Sequence, residues 1–517
     1  MKYNSSRWLL VVLALAIGAP RPAFAQISTA KVTGGVVEGV VKDDIVSFKG
    51  IPFAAPPVGD LRWRSPQPVK PWQGVLKADT YAAAPMQDTG LLTQMGGQAK
   101  ISEDCLYLNV WTGAKKAGEK RPVMVWIYGG AFAGGSTSFP TFDGANLAKK
   151  GVVLVSVAYR VGPMGFLAHP ELSKESGQGS GAYGIQDQIA GLKWVKQNIE
   201  QFGGDAANVT IFGESAGGIS VGILASSPAA KDLFQRAISE SGGAVAPSRG
   251  TLKTAEEQGK AFLSKLGAND IKAARALSAE TIQHGVQGGM GGFWPVAENV
   301  TVMENPYGLF QAGKFNDTPV LIGTNSNEGR LFARQKTTSA GFEQMIRQGY
   351  AAGADALLQA YPHATDAEAA RSAQDIFRDS VFAWPSWAWA KLVSRIGKNQ
   401  AFVYYYDHRT AASPDGADHA SEISYVFGNL GGFGGATGPE DKALSELMIS
   451  YWVNFAKHGD PNGPGLPPWP VFDDKEQKTM IFDKTPSARQ HPNQEQLKAF
   501  DAYYATLREK AKTTSGK

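Results

Sequence analysis

The chain has 517 residues and a near-balanced charge, 51 Lys and Arg against 47 Asp and Glu. Setting aside Lys2, Arg7 and Arg21 brings the net charge from +4 to about +1, which leaves no electrostatic footprint for nucleic acid or an anionic membrane. One cysteine and seven histidines without ligand spacing argue against zinc, so no metal or cofactor is expected.

The N-terminus reads as an export signal. Lys2 and Arg7 flank or precede an apolar run, residues 8–17, too short to cross a bilayer. Pro20 and Pro22 interrupt it, and Ala23-Phe24-Ala25 places small residues just ahead of a cleavage site before Gln26. No cysteine follows that site to carry a lipid, and no later stretch is apolar enough to span a membrane. A periplasmic or secreted product, residues 26–517, is expected.

Residues 123–127 form an apolar, strand-like run that ends in the glycine-rich stretch 128–135. Glycines directly after a buried strand let backbone N–H groups point into a cavity, where they can hold an oxyanion. Residues 208–212 form a second such run, and Gly213-Glu214-Ser215-Ala216-Gly217 follows it. That is the pattern G-x-S-x-G between a β-branched strand and the small, helix-compatible stretch 216–225. A sharp strand-to-helix turn exposes the serine hydroxyl near a helix N-terminus, which favours developing negative charge.

Helices are predicted over 254–266 and 270–277. A third buried strand, 319–323, runs into the polar loop 324–329, which carries Glu328. Site residues of an open α/β sheet collect just past the strand ends. A further helical region contains Phe377, Phe382, Trp384, Trp387 and Trp389, and Ala401–Tyr406 reads as another strand. Gly431 through Gly435 reads as a plain flexible loop.

A serine nucleophile needs a base and an orienting acid. If the chain order is Ser, acid, His, the base is one of His363, His408, His419, His458 and His491. His419 lies in a loop after the strand-like run 401–406. His408 is nearer that run, but Arg409 would oppose a positive imidazole beside it. Position favours His419 over His408 without excluding the latter. The alternation of strands and helices predicts an α/β fold with a large, mostly parallel sheet and helices on both faces. Segments 129–131, 215, 328 and 419 must meet at one site, and the chain shows no low-complexity linker or repeat. A single domain over 26–517 is therefore expected, against the length prior for several.

With these motifs in hand, the chain resembles the type-B carboxylesterase family of α/β-hydrolases, which includes cholinesterases and bacterial p-nitrobenzyl esterases. The likeness runs from Phe48-Lys49-Gly50-Ile51-Pro52-Phe53 through Ser102-Glu103-Asp104-Cys105-Leu106 to Trp126-Ile127-Tyr128-Gly129-Gly130 and Phe212-Gly213-Glu214-Ser215-Ala216-Gly217. Ser421-Glu422-Ile423-Ser424-Tyr425 follows His419 as in that family. The resemblance implies a triad of Ser215, Glu328 and His419, and an oxyanion hole from the N–H groups of Gly130, Ala131 and Ala216. It further implies support from Gly129 and from Ser241, whose hydroxyl would hold the acid, and insertions that wall the site. Many relatives have glycine where this chain has Ala131. The family's usual disulfide partner for Cys105 is missing, since residues 84–87 read Ala-Pro-Met-Gln. Cys105 then reads as a small buried hydrophobe.

The expected activity is hydrolysis of neutral carboxylic esters with small-to-medium acyl groups, through an acyl-enzyme. Amide, carbamate or lactone hydrolysis with the same triad is the alternative, and a non-catalytic binding relative is a further one. A small-molecule ester is the expected partner, and a monomer or weak dimer the expected state. Segment 82–104 has no Trp, Tyr or Phe to hold a cation. Arg330 and Arg334 follow the acid loop as possible anchors for an anionic substrate.

Overall fold

The computed structural model describes residues 26–515, except 98–99, 244, 247–249, 287–291 and 334–335. The expected export segment, residues 1–25, and Arg334 therefore lie outside the described residues. Among the described residues the central sheet has eleven strands. In spatial order they are Ser487–Gln490, Lys478–Phe482, Ala401–Tyr406, Val320–Asn325, Arg236–Glu240, Gly204–Glu214, Arg121–Ile127, Val153–Val157, Tyr107–Thr112, Ile45–Pro52 and Val40–Lys42. The seven from Lys478–Phe482 to Val153–Val157 run parallel, and antiparallel pairs close both edges. Strands buried on both faces need unbroken apolar runs, which is why 123–127 and 320–322 are apolar without alternation.

From Arg121–Ile127 the chain steps to Val153–Val157 on one side, then returns to Gly204–Glu214 on the other. Such a reversal opens a crevice at the strand C-termini. Register brings the neighbouring ends level: Ile127 pairs with Gly213, Glu214 with Glu240, and Asn325 with Tyr406. The loops that carry Gly130, Ser215, Glu328 and His419 all leave from this end.

The predicted strands are present: 123–127 and 208–212 extend to Arg121–Ile127 and Gly204–Glu214, 319–323 shifts to Val320–Asn325, and Ala401–Tyr406 keeps its bounds. The helix after Ser215 spans Ala216–Ser226. The helix predicted from 254 begins earlier, at Leu252, because Thr251 and Thr254 cap it reciprocally. The next is shorter than predicted, Ile271–Ala276, with the Asp270 carboxylate accepting from the Ala273 N–H at 2.6 Å.

The aromatic-rich region divides in two. Trp384, Trp387 and Trp389 are core residues, not site walls. Trp384 packs on Tyr307 and Tyr504, Trp389 meets Phe310 edge-on, and the Trp387 indole N–H donates to Gln477. A tryptophan-rich helix buries whichever face meets the sheet, and the sequence does not say which. Phe377 and Phe382 do reach the site. Phe382 rides on a π-helical turn, Asp379–Ala383, that interrupts the run from Asp366–Arg378 into Trp384–Ile396. Such turns recur at functional sites because the extra residue re-aims a side chain.

Behind the crevice, Trp126, Phe212 and Phe427 pack as a cluster, with Trp126–Phe212 and Trp126–Phe427 ring centroids 4.8 and 5.0 Å apart. This pins the helix Ile423–Phe427, just past His419, to the oxyanion and nucleophile strands. Cys105 is buried, and burial raises its thiol far above the ordinary range. Near it, a short parallel pairing of Ala84–Pro85 with Ile101–Ser102 ties the loop ends together.

Candidate active site

Ser215 sits between the strand Gly204–Glu214 and the helix Ala216–Ser226 with φ 56° and ψ −122°. An L-residue rarely adopts this conformation, and it is held by the Ser215 N–H donating to the Glu240 carbonyl at 2.9 Å. The flanking glycines are sterically required. A Cβ on Gly217 would lie 2.0 Å from the Ile127 carbonyl oxygen, and one on Gly213 would lie 2.5 Å from the same atom. A Cβ on Gly129 would come within 3.0 Å of the Ser215 Cβ.

Opposite Ser215, the oxyanion loop turns through Gly130 at φ 118°, Ala131 at 55° and Phe132 at 58°. Only the first suits glycine alone, and the other two carry left-handed strain in an alanine and a phenylalanine. The Gly130 carbonyl accepts from the N–H groups of Ala133 and Gly134, and the Phe132 carbonyl from Gly162. Among the described residues, the N–H groups of Gly130, Ala131 and Ala216 donate to no protein acceptor. Unmet donors at a helix start and a glycine turn make a receptor for negative oxygen.

Glu328 opens the short 3₁₀ turn Glu328–Leu331 and is fully buried. Its Oε2 lies 2.5 Å from His419 Nδ1, and its Oε1 accepts from the Ser241 hydroxyl at 2.5 Å and the Asn325 N–H at 2.7 Å. The structure thus brings Glu328, His419 and Ser241 together. It does not bond Ser215 to His419: the Nε2 of the ring lies 3.1 Å from Oε1 of Glu214, the residue before the serine. Catalytic hydrogen bonds are often loose without substrate and tighten on binding. Phe382 stacks on the imidazole at 4.7 Å and Phe332 meets it edge-on at 5.0 Å.

Three of the other candidate histidines are employed elsewhere. His408 Nε2 lies 2.7 Å from Asp441 Oδ1, which also accepts from the Tyr425 hydroxyl. His363 meets the Tyr361 carbonyl, and His491 the Thr479 hydroxyl.

Two acids escaped sequence reasoning. Glu214 was the variable position inside the elbow motif, and Glu422 lies three residues past His419. Both are buried. Burial raises Glu214 well above the carboxylate range, with His419 pulling it down, and burial with Glu328 beside it raises Glu422 to about 7. For His419, burial opposes the charge, but Glu214 and Glu328 outweigh it and hold the imidazole up, to about 9. Asn325 bridges the network, its Nδ2 donating to Glu422 at 2.5 Å and to the Asp418 carbonyl at 2.8 Å. The usable signal was the spacing of acids around the two motifs. Among the described residues no cluster of three or more His, Cys, Asp or Glu could hold a metal ion.

A parallel sheet carrying a strained serine, unmet N–H donors and a carboxylate-tethered imidazole at its C-terminal edge defines an α/β-hydrolase. The model of the carboxylesterase family matches residues 21–500, and the chain belongs to that family. It is 38% identical over 497 residues to the fumonisin B1 esterase of Sphingopyxis macrogoltabida, covering 90% of this chain and 88% of that one. It is 35% identical over 489 residues to the para-nitrobenzyl esterase of Bacillus subtilis (strain 168), covering 89% and 96%. A solved PNB esterase structure superposes with a TM-score of 0.82 at 33% identity, over 92% of this chain and 99% of that one. The chain is a carboxylic ester hydrolase.

Proposed function

We propose that the protein is an exported serine esterase that cleaves uncharged carboxylic esters through an acyl-enzyme on Ser215. The Ser215 hydroxyl attacks the ester carbonyl while its proton passes to Nε2 of His419. The N–H groups of Gly130, Ala131 and Ala216 hold the resulting oxyanion. Glu328, steadied by Ser241 and the Asn325 N–H, orients the ring and stabilises its charged form. Collapse of the intermediate expels the alcohol, which takes the proton from His419 and leaves the acyl group on Ser215. Water, deprotonated by His419, then attacks that ester and releases the acid.

The observation that carries the substrate reading is a cavity of about 710 Å³. The alcohol must leave on the side of His419, among Phe332, Phe377 and Phe382, so the acyl group points the other way. The cavity adjoins that side through Phe132 of the loop after Arg121–Ile127 and through Ile219 and Ile223 of the helix after Ser215, with Ser215 itself outside its lining; Phe293, Trp294 and Val381 line it further, and no described lining residue is charged. Its size lies in the range that buries a drug-sized group, so acyl groups beyond acetyl are accommodated. The test is a p-nitrophenyl alkanoate series with matched amide and carbamate controls. kcat/KM should rise from acetate to hexanoate by up to about fourfold per methylene buried, and amides should turn over poorly. Acetate as the best acyl group would remove this cavity from the mechanism. Export predicts a mature chain beginning at Gln26, read by N-terminal sequencing.

A further inference from the structure

The Arg330 guanidinium is engaged by Asp418. Its Nε and Nη2 donate to the two carboxylate oxygens of Asp418, one residue before His419. A bidentate pair of this kind fixes orientation as well as distance. Arg330 is two residues past Glu328, so the pair joins the acid loop to the base loop. Asp418 also accepts from the Ser413 hydroxyl. Around it the two loops zip together. The Asn327 N–H donates to the Ala417 carbonyl at 2.9 Å, the Ala417 N–H to the Ser326 hydroxyl at 2.8 Å, and Asn327 and Asp418 form a parallel bridge. The base loop is strained at this point: Ala420, directly after His419, has φ 67°. A non-glycine residue there persists only if its surroundings hold it.

We propose that Arg330 and Asp418 are positioning residues: their ion pair clasps the acid and base loops, holds His419 in register with Glu328, and neutralises a carboxylate beside the base. This rests on the triad reading above. The charged groups facing His419 are Glu214 from the nucleophile strand, Glu328 from the acid loop and Glu422 from the following turn. Glu240, paired with Glu214 across the neighbouring strands, is raised well above the carboxylate range by burial and by Glu422. Asp415 lies near Arg330, whereas Arg371 and Arg378 are engaged by Asp375, Asp379 and the Ser326 carbonyl. Arg330 is the one cation among these that binds the residue adjoining the base. Without it, the Asp418 charge is uncompensated and favours the protonated imidazole, which cannot accept the serine proton.

The experiment measures pH profiles of kcat and KM on p-nitrophenyl butyrate for R330Q, D418N, R330Q/D418N and R330K. Active sites are counted by organophosphonate titration, so misfolded protein is excluded. R330Q should lower kcat about tenfold with KM within twofold, and should move the acid limb up by about half a unit or more. D418N should lower kcat similarly without that upward shift. The double variant should return the limb to its wild-type position with no further loss of kcat, because the two act as one unit. R330K keeps the charge but loses the fork, so the limb should stay put with an intermediate kcat. A wild-type kcat and an unmoved limb in R330Q would overturn the proposal. So would equal losses with an unmoved limb in all four variants. A KM rise confined to carboxylate-bearing esters would instead make Arg330 a substrate anchor. If S215A stays active, the triad reading fails first, and separately.

Discussion

The substitution Gly217→Ala tests whether the elbow motif is a steric device. The Gly217 Cβ would stand 2.0 Å from the Ile127 carbonyl oxygen, whereas ordinary Cβ contacts begin at 3.4 Å and almost none occur under 3.0 Å. The obstructing atom is backbone in a central strand, also hydrogen-bonded in register, so it cannot swing aside. The elbow must therefore back away from the oxyanion strand by about 1 Å. A 1 Å misplacement of reacting groups costs about a hundredfold in rate, equivalent to about 2.7 kcal/mol of transition-state stabilisation. Overpacking in a core costs about 1–3 kcal/mol of stability, which a protein of this size withstands. The assay is kcat/KM on p-nitrophenyl butyrate beside the melting temperature. Gly349→Ala is the control: nothing lies within 4 Å of its Cβ, and a helical Gly-to-Ala change should be neutral or stabilising by about 0.5–1 kcal/mol. Gly217→Ala with kcat/KM within threefold of wild type and an unchanged melting temperature would refute the steric argument.

An organophosphonate should label Ser215 alone, and Ser215→Ala or His419→Ala should each lower kcat by about 10⁴-fold or more; peptide mapping and single-turnover rates check this. His408→Ala should leave turnover near normal and lower the melting temperature, because His408 ties Asp441 at the start of the helix Pro439–His458. Glu214→Gln removes the carboxylate nearest Nε2, which helps hold His419 up at about 9. His419 works as a base only when neutral, so activity disappears as pH falls through its pKa. Lowering that pKa should carry activity to lower pH, and a pH–kcat/KM profile shifted the other way would contradict the arrangement. Butyrylcholine should show less than a tenfold advantage in kcat/KM over 3,3-dimethylbutyl butyrate, since the described cavity lining has no acid and segment 82–104 has no aromatic ring.

Local chemistry made part of this protein legible in its sequence. The elbow glycines and the apolar runs before them each act over a few residues, so strand, turn and helix near Ser215 could be read directly, whereas the Thr251 cap that starts its helix early was not. Chain order and strand ends pointed to Glu328 and His419, but left His408 open until the fold gave it Asp441. Tertiary structure alone decided which aromatic residues serve the core and which face His419, because the π turn at Asp379–Ala383 re-aims Phe382 while the adjoining tryptophans turn to Tyr307, Phe310, Gln477 and Tyr504. It also decided that Glu214 and Glu422 surround the base, and that Arg330 is committed to Asp418. Those relations join residues about ninety or more positions apart, or depend on the way one side chain turns. Periodicity and motif spacing carry neither kind of information; the register of the parallel strands supplies both.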